Sequence, residues 1–388
     1  MKAEGRRQKA ERRTRRVRAL RSFLPSAFRL PPSAFRLLPS ALCLLLSAFC
    51  LLAAEPQASA GVGSWARQRS GSLAWLHAVF FLDERRGWAV GGSGVVLATS
   101  DGGLTWRARA RPTEDTLHDV YFTDEHNGWL VCERSIYDMK ELDERRTYLL
   151  RTKDGGSSWD RVEVLGRDED TRLVRALFTH GGRGWAFGEA GALYTTRDGG
   201  TTWERKRVPT RHLLLGGLFL DGEQGWLVGA GSTLLQTSDG GETWNAGVLL
   251  GLVPPAGTGP DARRVRFTAT SFVDRSRGWA VGAEGQVFAT RNGGRTWTPQ
   301  ESNTTADLLD VKFLDAREGW AAGAGGTLLH TTDGGSRWEV VPSGTTHALE
   351  RLCFVGRTRG WAVGFGGTIL SYSPDASPAQ RPGLKRQK

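Results

Sequence analysis

Six side chains stand at one recurring place in the 388-residue chain: Asp101, Asp154, Asp198, Asp239, Asn292 and Asp333. Each opens a Gly-Gly pair and is followed five residues later by Trp106, Trp159, Trp203, Trp244, Trp297 or Trp338. The pattern is Ser/Thr-x-Asp-Gly-Gly-x-Ser/Thr-Trp with small departures. Carboxylates can do bond-breaking chemistry when two of them flank a glycosidic bond. A short carboxylate can instead accept hydrogen bonds from the backbone of its own turn, while the glycines bend and the Trp packs beneath. Asn292 decides between the two. An amide oxygen accepts hydrogen bonds as a carboxylate does but carries no charge, and a site that needed charge would not accept it. The six positions are therefore expected to be structural.

The elements that hold them are repeats. Seven Gly-Trp pairs end at Trp88, Trp129, Trp185, Trp226, Trp279, Trp320 and Trp361, spaced 41, 56, 41, 53, 41 and 41 residues apart. Seven residues before each stands a Phe: Phe81, Phe122, Phe178, Phe219, Phe272, Phe313 and Phe354. A period of about 40 to 50 residues is that of a propeller blade. Within a copy, an apolar run ending at the Phe is a first strand and Gly-Trp opens a second. A Gly-rich turn leads to a third, and the Asp-Gly-Gly turn leads to a short fourth. Four antiparallel strands repeated radially make an all-β, seven-bladed propeller. The seventh copy lacks its fourth strand, and Ser64-Trp65-Ala66-Arg67-Gln68 reads as one. The N-terminal strand is thus expected to complete the last blade. That assignment places all but one of the 15 tryptophans in the template, leaving Trp75.

The Asp-Gly-Gly turn resembles the Asp-box of sialidase-like propellers. The whole template, F-x-D-x3-G-W-x2-G followed by T-x-D-G-G-x-T-W, resembles the repeat of the photosystem II stability/assembly factor family across residues 78–373. This resemblance implies a non-catalytic assembly scaffold with membrane-protein subunits as clients. The alternative, from a different class, is a carbohydrate-active or glycan-binding sialidase-like propeller. That chemistry needs a Tyr nucleophile and arginines. Of Tyr121, Tyr137, Tyr148, Tyr194 and Tyr372, only Tyr137 stands where it could reach a loop-bearing face. Phe28-Arg29-Leu30-Pro31 imitates a sialidase motif but lies upstream of the repeats. Histidines are scattered, no Cys/His metal spacing occurs, and no phosphate-binding loop is present. Cys132 and Cys353 occupy different strand positions in blades two and seven, outside disulfide reach. No catalytic residue, cofactor or metal ligand is expected.

Charge is unevenly placed. The formal net charge is +11, but residues 1–36 carry 12 Lys and Arg against 2 acids, and residues 61–388 carry 40 against 38. The repeats therefore lack a basic footprint for nucleic acid. Residues 1–60 read as an export leader: a basic stretch, an apolar run over Leu37–Ala54, and Ala58-Ser59-Ala60 as a cleavage site. The expected location is periplasmic, lumenal or extracellular, with a retained N-terminal membrane anchor as the alternative. Residues 61–373 form the propeller, expected to be monomeric, and 374–388 a disordered tail.

Two insertions mark where function would sit. Glu133–Arg146 lengthens the second-to-third-strand turn of blade two and carries Tyr137, Lys140, Arg145 and Arg146. Residues 247–264 lengthen the connection from blade four to blade five. Both belong to the face opposite the Asp-Gly-Gly turns, and long loops on a rigid scaffold tend to carry function. The other face carries arginines in its first turns, among them Arg86, Arg183, Arg277 and Arg359, interleaved with acids. The expected reading is a mixed, solvated turn face, and the alternative is a second candidate surface, an arginine-rich patch for an acidic partner.

Overall fold

Each blade is assembled around the phenylalanine that ends its innermost strand. These strands are Leu76–Phe81, Thr116–Phe122, Leu173–Phe178, Leu214–Phe219, Phe267–Phe272, Leu308–Phe313 and Leu349–Val355. Each Phe pairs across the hairpin with the glycine of Gly-Trp, as Phe81 with Gly87 and Phe272 with Gly278. Its ring lies flat over that glycine. A Cβ on Gly87 would stand 2.6 Å from the Phe81 ring, and one on Gly278 2.3 Å from that of Phe272. The spacing of Phe and Gly-Trp is therefore one packing unit, and no larger residue fits beneath the ring.

The same ring also joins blades. Its face stacks on the Gly-Trp indole of the preceding blade: Phe122 on Trp88 at 3.8 Å, Phe219 on Trp185 at 3.6 Å, Phe272 on Trp226 at 3.6 Å and Phe313 on Trp279 at 3.5 Å. Its blade's own box tryptophan meets it edge-on, as Trp297 meets Phe272 at 5.7 Å and 90°. Stacked and edge-to-face pairs each add about 0.5–1.5 kcal/mol beyond the area they bury.

The computed structural model describes residues 63–137, 139, 145–164, 171–179, 181–251 and 265–374. The leader, the tail and Lys140 lie outside the described residues. The described chain forms seven antiparallel sheets, with no α-helix among the described residues and none long and apolar enough to cross a membrane. Inner strands touch in sequence around the hub, and that of blade seven touches that of blade one.

The N-terminal strand closes the wheel. Ser64–Gln68 pairs antiparallel with Thr368–Ser373, Trp65 opposite Tyr372. Trp65 meets Phe354 edge-on at 6.0 Å and 89°, just as Trp106 meets Phe81 at 5.8 Å and 89°. It is the seventh box tryptophan, supplied from the other end of the domain.

Two features depart from the regular pattern. Blade five has a fifth strand, because Val248–Leu249 runs parallel to its outer strand Thr296–Gln300. The start of the second insertion therefore lies along the rim instead of projecting from a face. At the seam, His330 stacks on Trp320 at 4.0 Å, and Phe354 stands off at 6.2 Å. In blades three, four, five and seven the Gly-Trp indole donates to the first glycine carbonyl of the next box: Trp185 to Gly240 at 2.8 Å, Trp226 to Gly293 at 2.8 Å, Trp279 to Gly334 at 2.9 Å and Trp361 to Gly102 at 3.0 Å. Blade seven has no box, and the buried Trp320 Nε1 has no hydrogen-bond partner.

Candidate functional site

The box acids spend their oxygens on their own turns. Asp101 Oδ1 accepts from the Thr99 hydroxyl at 2.8 Å and the Thr105 N–H at 2.9 Å, and Oδ2 accepts from the Thr105 hydroxyl at 2.5 Å. The Thr99 oxygen in turn accepts from the Gly103 N–H at 2.8 Å. Asp154, Asp198 and Asp239 repeat this set, and Asp333 keeps its backbone part. The Thr105 hydroxyl, with the backbone bonds, holds the Asp101 carboxyl down at about 2, and Ser158 does the same for Asp154, also at about 2. Such groups stay ionised and hydrogen-bonded and do not exchange protons near neutrality.

Asn292 mimics the arrangement with reversed polarity on one side. Its Oδ1 accepts from the Thr296 N–H at 3.0 Å, and its Nδ2 donates to the Thr296 hydroxyl at 2.9 Å. Restoring the acid converts neutral hydrogen bonds into charge-assisted ones. Asn292→Asp is expected to stabilise the fold at neutral pH by about 1 kcal/mol. A carboxyl depressed in the folded state contributes above its unfolded pKa and loses that contribution as pH falls through the folded one. The gain in thermal midpoint should therefore vanish in strong acid, and an acid-independent gain would contradict the assignment.

Boxes and first turns share one face of the wheel. Gly102 N donates to Arg85 O at 2.8 Å and Gly240 N to Glu223 O at 2.8 Å. The arginines of this face are largely committed to neighbours. Arg86 pairs with Asp83 on its own turn and Glu125 on blade two. Arg277 binds Asp274 at 2.6 Å, and Arg275 binds Asp221 of blade four at 2.9 Å. Arg183 donates to Gly222 O of blade four, and Arg357 pairs with Asp315 and Glu318 of blade six. Arg277 braces its own turn, and Arg86, Arg183, Arg275 and Arg357 act as clips between adjacent turns. Arg359 instead lines a small groove at the seam with Glu84, Arg85 and Asp101.

The opposite face joins the second-to-third-strand turns to the interblade connections. Gly92 N donates to Trp75 O at 2.9 Å, Glu189 N to Arg172 O at 2.8 Å and Ser232 N to Val265 O at 2.7 Å. The base of the blade-two insertion is stitched shut by Arg134 N donating to Arg146 O at 2.8 Å. Glu133 collects Arg146 at 2.6 Å, Arg172 at 2.7 Å and His118. Arg146 is thus a strut of the insertion. Tyr137 is 91% exposed, with the exposed Ile136 beside it in sequence, and Arg145 directly precedes Arg146. On the same face Trp75, the tryptophan outside the template, lies against Phe365 at 5.4 Å and His77 at 5.1 Å, and His77 in turn lies against His118 at 5.3 Å. Its indole donates to Glu350 Oε1 at 3.0 Å. Leu73, 90% exposed, extends the apolar patch.

The other tyrosines are elsewhere: Tyr148, Tyr194 and Tyr372 are buried, and Tyr121 packs on Phe80. Cys132 and Cys353 are free, and burial raises the Cys353 thiol to about 11. Among the described residues no group of three His, Cys, Asp or Glu side chains could hold a metal.

Reading the sequence missed the polar hub. Asp310 sits at the third position of its inner strand, where the strands bulge. It accepts from Val311 N at 2.9 Å and, across to blade seven, from Leu352 N at 2.9 Å. Asp119 does likewise toward Ala176, and burial raises its carboxyl to about 6 against the pull of Arg175. In each case the next blade carries an arginine at that position, Arg351 and Arg175. The signal was present as a charged residue inside an apolar run.

The family model described as Photosynthesis system II assembly factor YCF48 matches residues 110–213, 261–346 and 300–373. None of the curated proteins matches the sequence. Among solved structures the wheel is similar to YCF48 from Cyanidioschyzon merolae, at 22% identity and TM-score 0.64, covering 80% of this chain and 99% of that one. It is similar to YCF48 bound to D1 peptide at 21% identity and TM-score 0.62, covering 81% and 95%. It also shares its fold with the GH74 xyloglucanase from Xanthomonas campestris, at 14% identity and TM-score 0.60, over 82% of this chain and 54% of that one.

Proposed function

Matched over more than half of its length, the chain belongs to the Photosynthesis system II assembly factor YCF48 family, and on that premise we propose that it is an exported, non-catalytic propeller that docks a segment of a membrane-protein subunit during assembly. The observation that carries this reading is the contrast between the faces. On the box face, acids and most arginines are tied into turns and clips. On the other face an exposed aromatic side chain, Tyr137, belongs to an insertion with a braced base, and the apolar residues Leu73, Trp75 and Phe365 are exposed on the same face. Rigid aromatic anchors with arginine nearby are what protein-binding surfaces concentrate. Lys140, in the same insertion, adds a positive charge to those of Arg134, Arg145 and Arg146. The relative bound to a D1 peptide supports a peptide segment as the ligand. The propeller acts as a monomer, and its leader delivers it to the compartment where such segments emerge.

Fluorescence anisotropy with a labelled D1 peptide tests this. Saturable binding is expected, weakened about tenfold, or about 1.4 kcal/mol, by Tyr137→Ala combined with Arg145→Ala. Equal binding by the double variant, or none by the parent chain, would sink the insertion face as the dock.

A further inference from the structure

On the box face, the junction between blades two and three is built unlike those that follow blades three, four, five and seven. The Gly-Trp indoles of blades three, four, five and seven donate to the next box, as described above. The Trp129 Nε1 has no hydrogen-bond partner, although the residue is only 3% exposed. The adjoining first turn differs as well. In blades one, two, four, five and six an Asp accepts two backbone N–H groups of that turn, as Asp124 accepts from His126 and Asn127 at 2.8 Å each. In blade three the turn carries Gly181 and Gly182 at φ 93° and 79°. Trp129 stacks on Phe178 at 4.1 Å and 25°, wider than the stacks on Trp88, Trp185, Trp226, Trp279 and Trp361 but closer than the seam pair of Trp320 and Phe354.

A cavity of about 350 Å³ opens there, lined by Asn127, Trp129, Arg151, Phe178 and Thr179. Three shielded polar atoms of the side chains that line it lack a partner among the described residues: Trp129 Nε1, Arg151 Nε and Thr179 Oγ1. Two of them can only donate. The Arg151 guanidinium lies 5.4 Å over the Trp129 ring, and its Nη1 donates to Thr201 Oγ1 at 3.2 Å. The position facing the Gly-Trp indole across the hairpin is Ala98, Thr195, Gln236, Ala289, His330 and Ser371 in the other blades. Blade two alone places a cation there. Buried donors without acceptors each cost about 1–3 kcal/mol, and an ionised acceptor is the partner that relieves them most.

We propose that this interblade cavity binds a carboxylate, which accepts from the Trp129 indole and the Arg151 guanidinium, with the Thr179 hydroxyl as a third donor. Asp124 at the rim does not compete, because its oxygens already serve its own turn. The carboxylate comes either from a peptide chain or from a small organic acid. The site does not depend on which client the opposite face docks.

The test follows the indole N–H of Trp129 by 15N NMR on the full chain, assigned through Trp129→Phe. The titrants are acetate, the tripeptide acetyl-Ala-Ala-Ala with a free C-terminus, and its C-terminal amide, at matched ionic strength in chloride. Saturable displacement of the Trp129 signal by acetate or by the free acid is expected, with the Trp185 signal, which already has an acceptor, unmoved. The amide should not displace it, and Arg151→Met should weaken binding at least tenfold. Thr179→Val, a smaller change, should weaken it severalfold while leaving the spectrum otherwise folded. Response to the tripeptide assigns the site to a chain terminus, and response to acetate alone assigns it to a small acid. An unresponsive Trp129, meaning ordered water only, would overturn the proposal, as would equal affinity for the amide or full affinity in Arg151→Met.

Discussion

Deleting residues 61–72 is expected to lower the thermal midpoint by on the order of ten degrees or more. The segment supplies the outer strand of blade seven, paired residue for residue from Ser64 with Ser373 to Gln68 with Ile369. It also supplies Trp65, which packs on Trp320 at 5.5 Å and Tyr372 at 5.5 Å as well as on Phe354. Truncating one buried Trp alone costs about 3–5 kcal/mol, and each kcal/mol shifts the midpoint of a large domain by about 2–4 °C. In a closed ring the loss spreads, because blades six and one each lean on blade seven. Trp65→Ala should reproduce a substantial share of the effect. A melting curve unchanged by the deletion would show that the ring is held shut by something else.

Removing an interblade ring should come next. Phe272→Ala is expected to cost about 3–5 kcal/mol, since its ring lies on Gly278, against Trp226 and beneath Trp297 at once. The same change at the seam should cost visibly less. There Phe354 stands 6.2 Å from Trp320, and His330 occupies the stacking place. Denaturant midpoints of the two variants make the comparison, and an equal loss would mean that the stack contributes little beyond apolar burial. Gly278→Ala should approach the cost of Phe272→Ala, because its methyl group meets the ring 2.3 Å away.

These two expectations show which part of the design can be read without coordinates. Phe and Gly-Trp recur at a fixed distance because they are cross-strand partners in one hairpin, and hairpin register is local. The role of Trp65 was legible by elimination, since one copy lacked what one stray tryptophan could supply. Relations between blades were not legible. Arg86 reaches Glu125 and Arg357 reaches Asp315 across an interface whose register no single repeat encodes. The arginine-rich alternative for that face is largely an array of clips for this reason. His330 beside Trp320, and Arg151 over Trp129, sit at a strand position that varies freely between copies, so no pattern flagged either one. The strand at Val248–Leu249 is two residues long and gains its partner from the next blade.

The account holds that a closed wheel presents a braced loop face for docking and leaves the bonds of its partner intact. The direct measurement exposes the full chain to overlapping synthetic peptides that cover the exported segments of its host's membrane proteins. Retained peptides are then weighed by mass spectrometry before and after binding. A small set held by the parent chain, lost on Tyr137→Ala with Arg145→Ala, and recovered at unchanged mass is the predicted result. Peptides recovered cleaved or modified, or retention indifferent to that pair of substitutions, would contradict it.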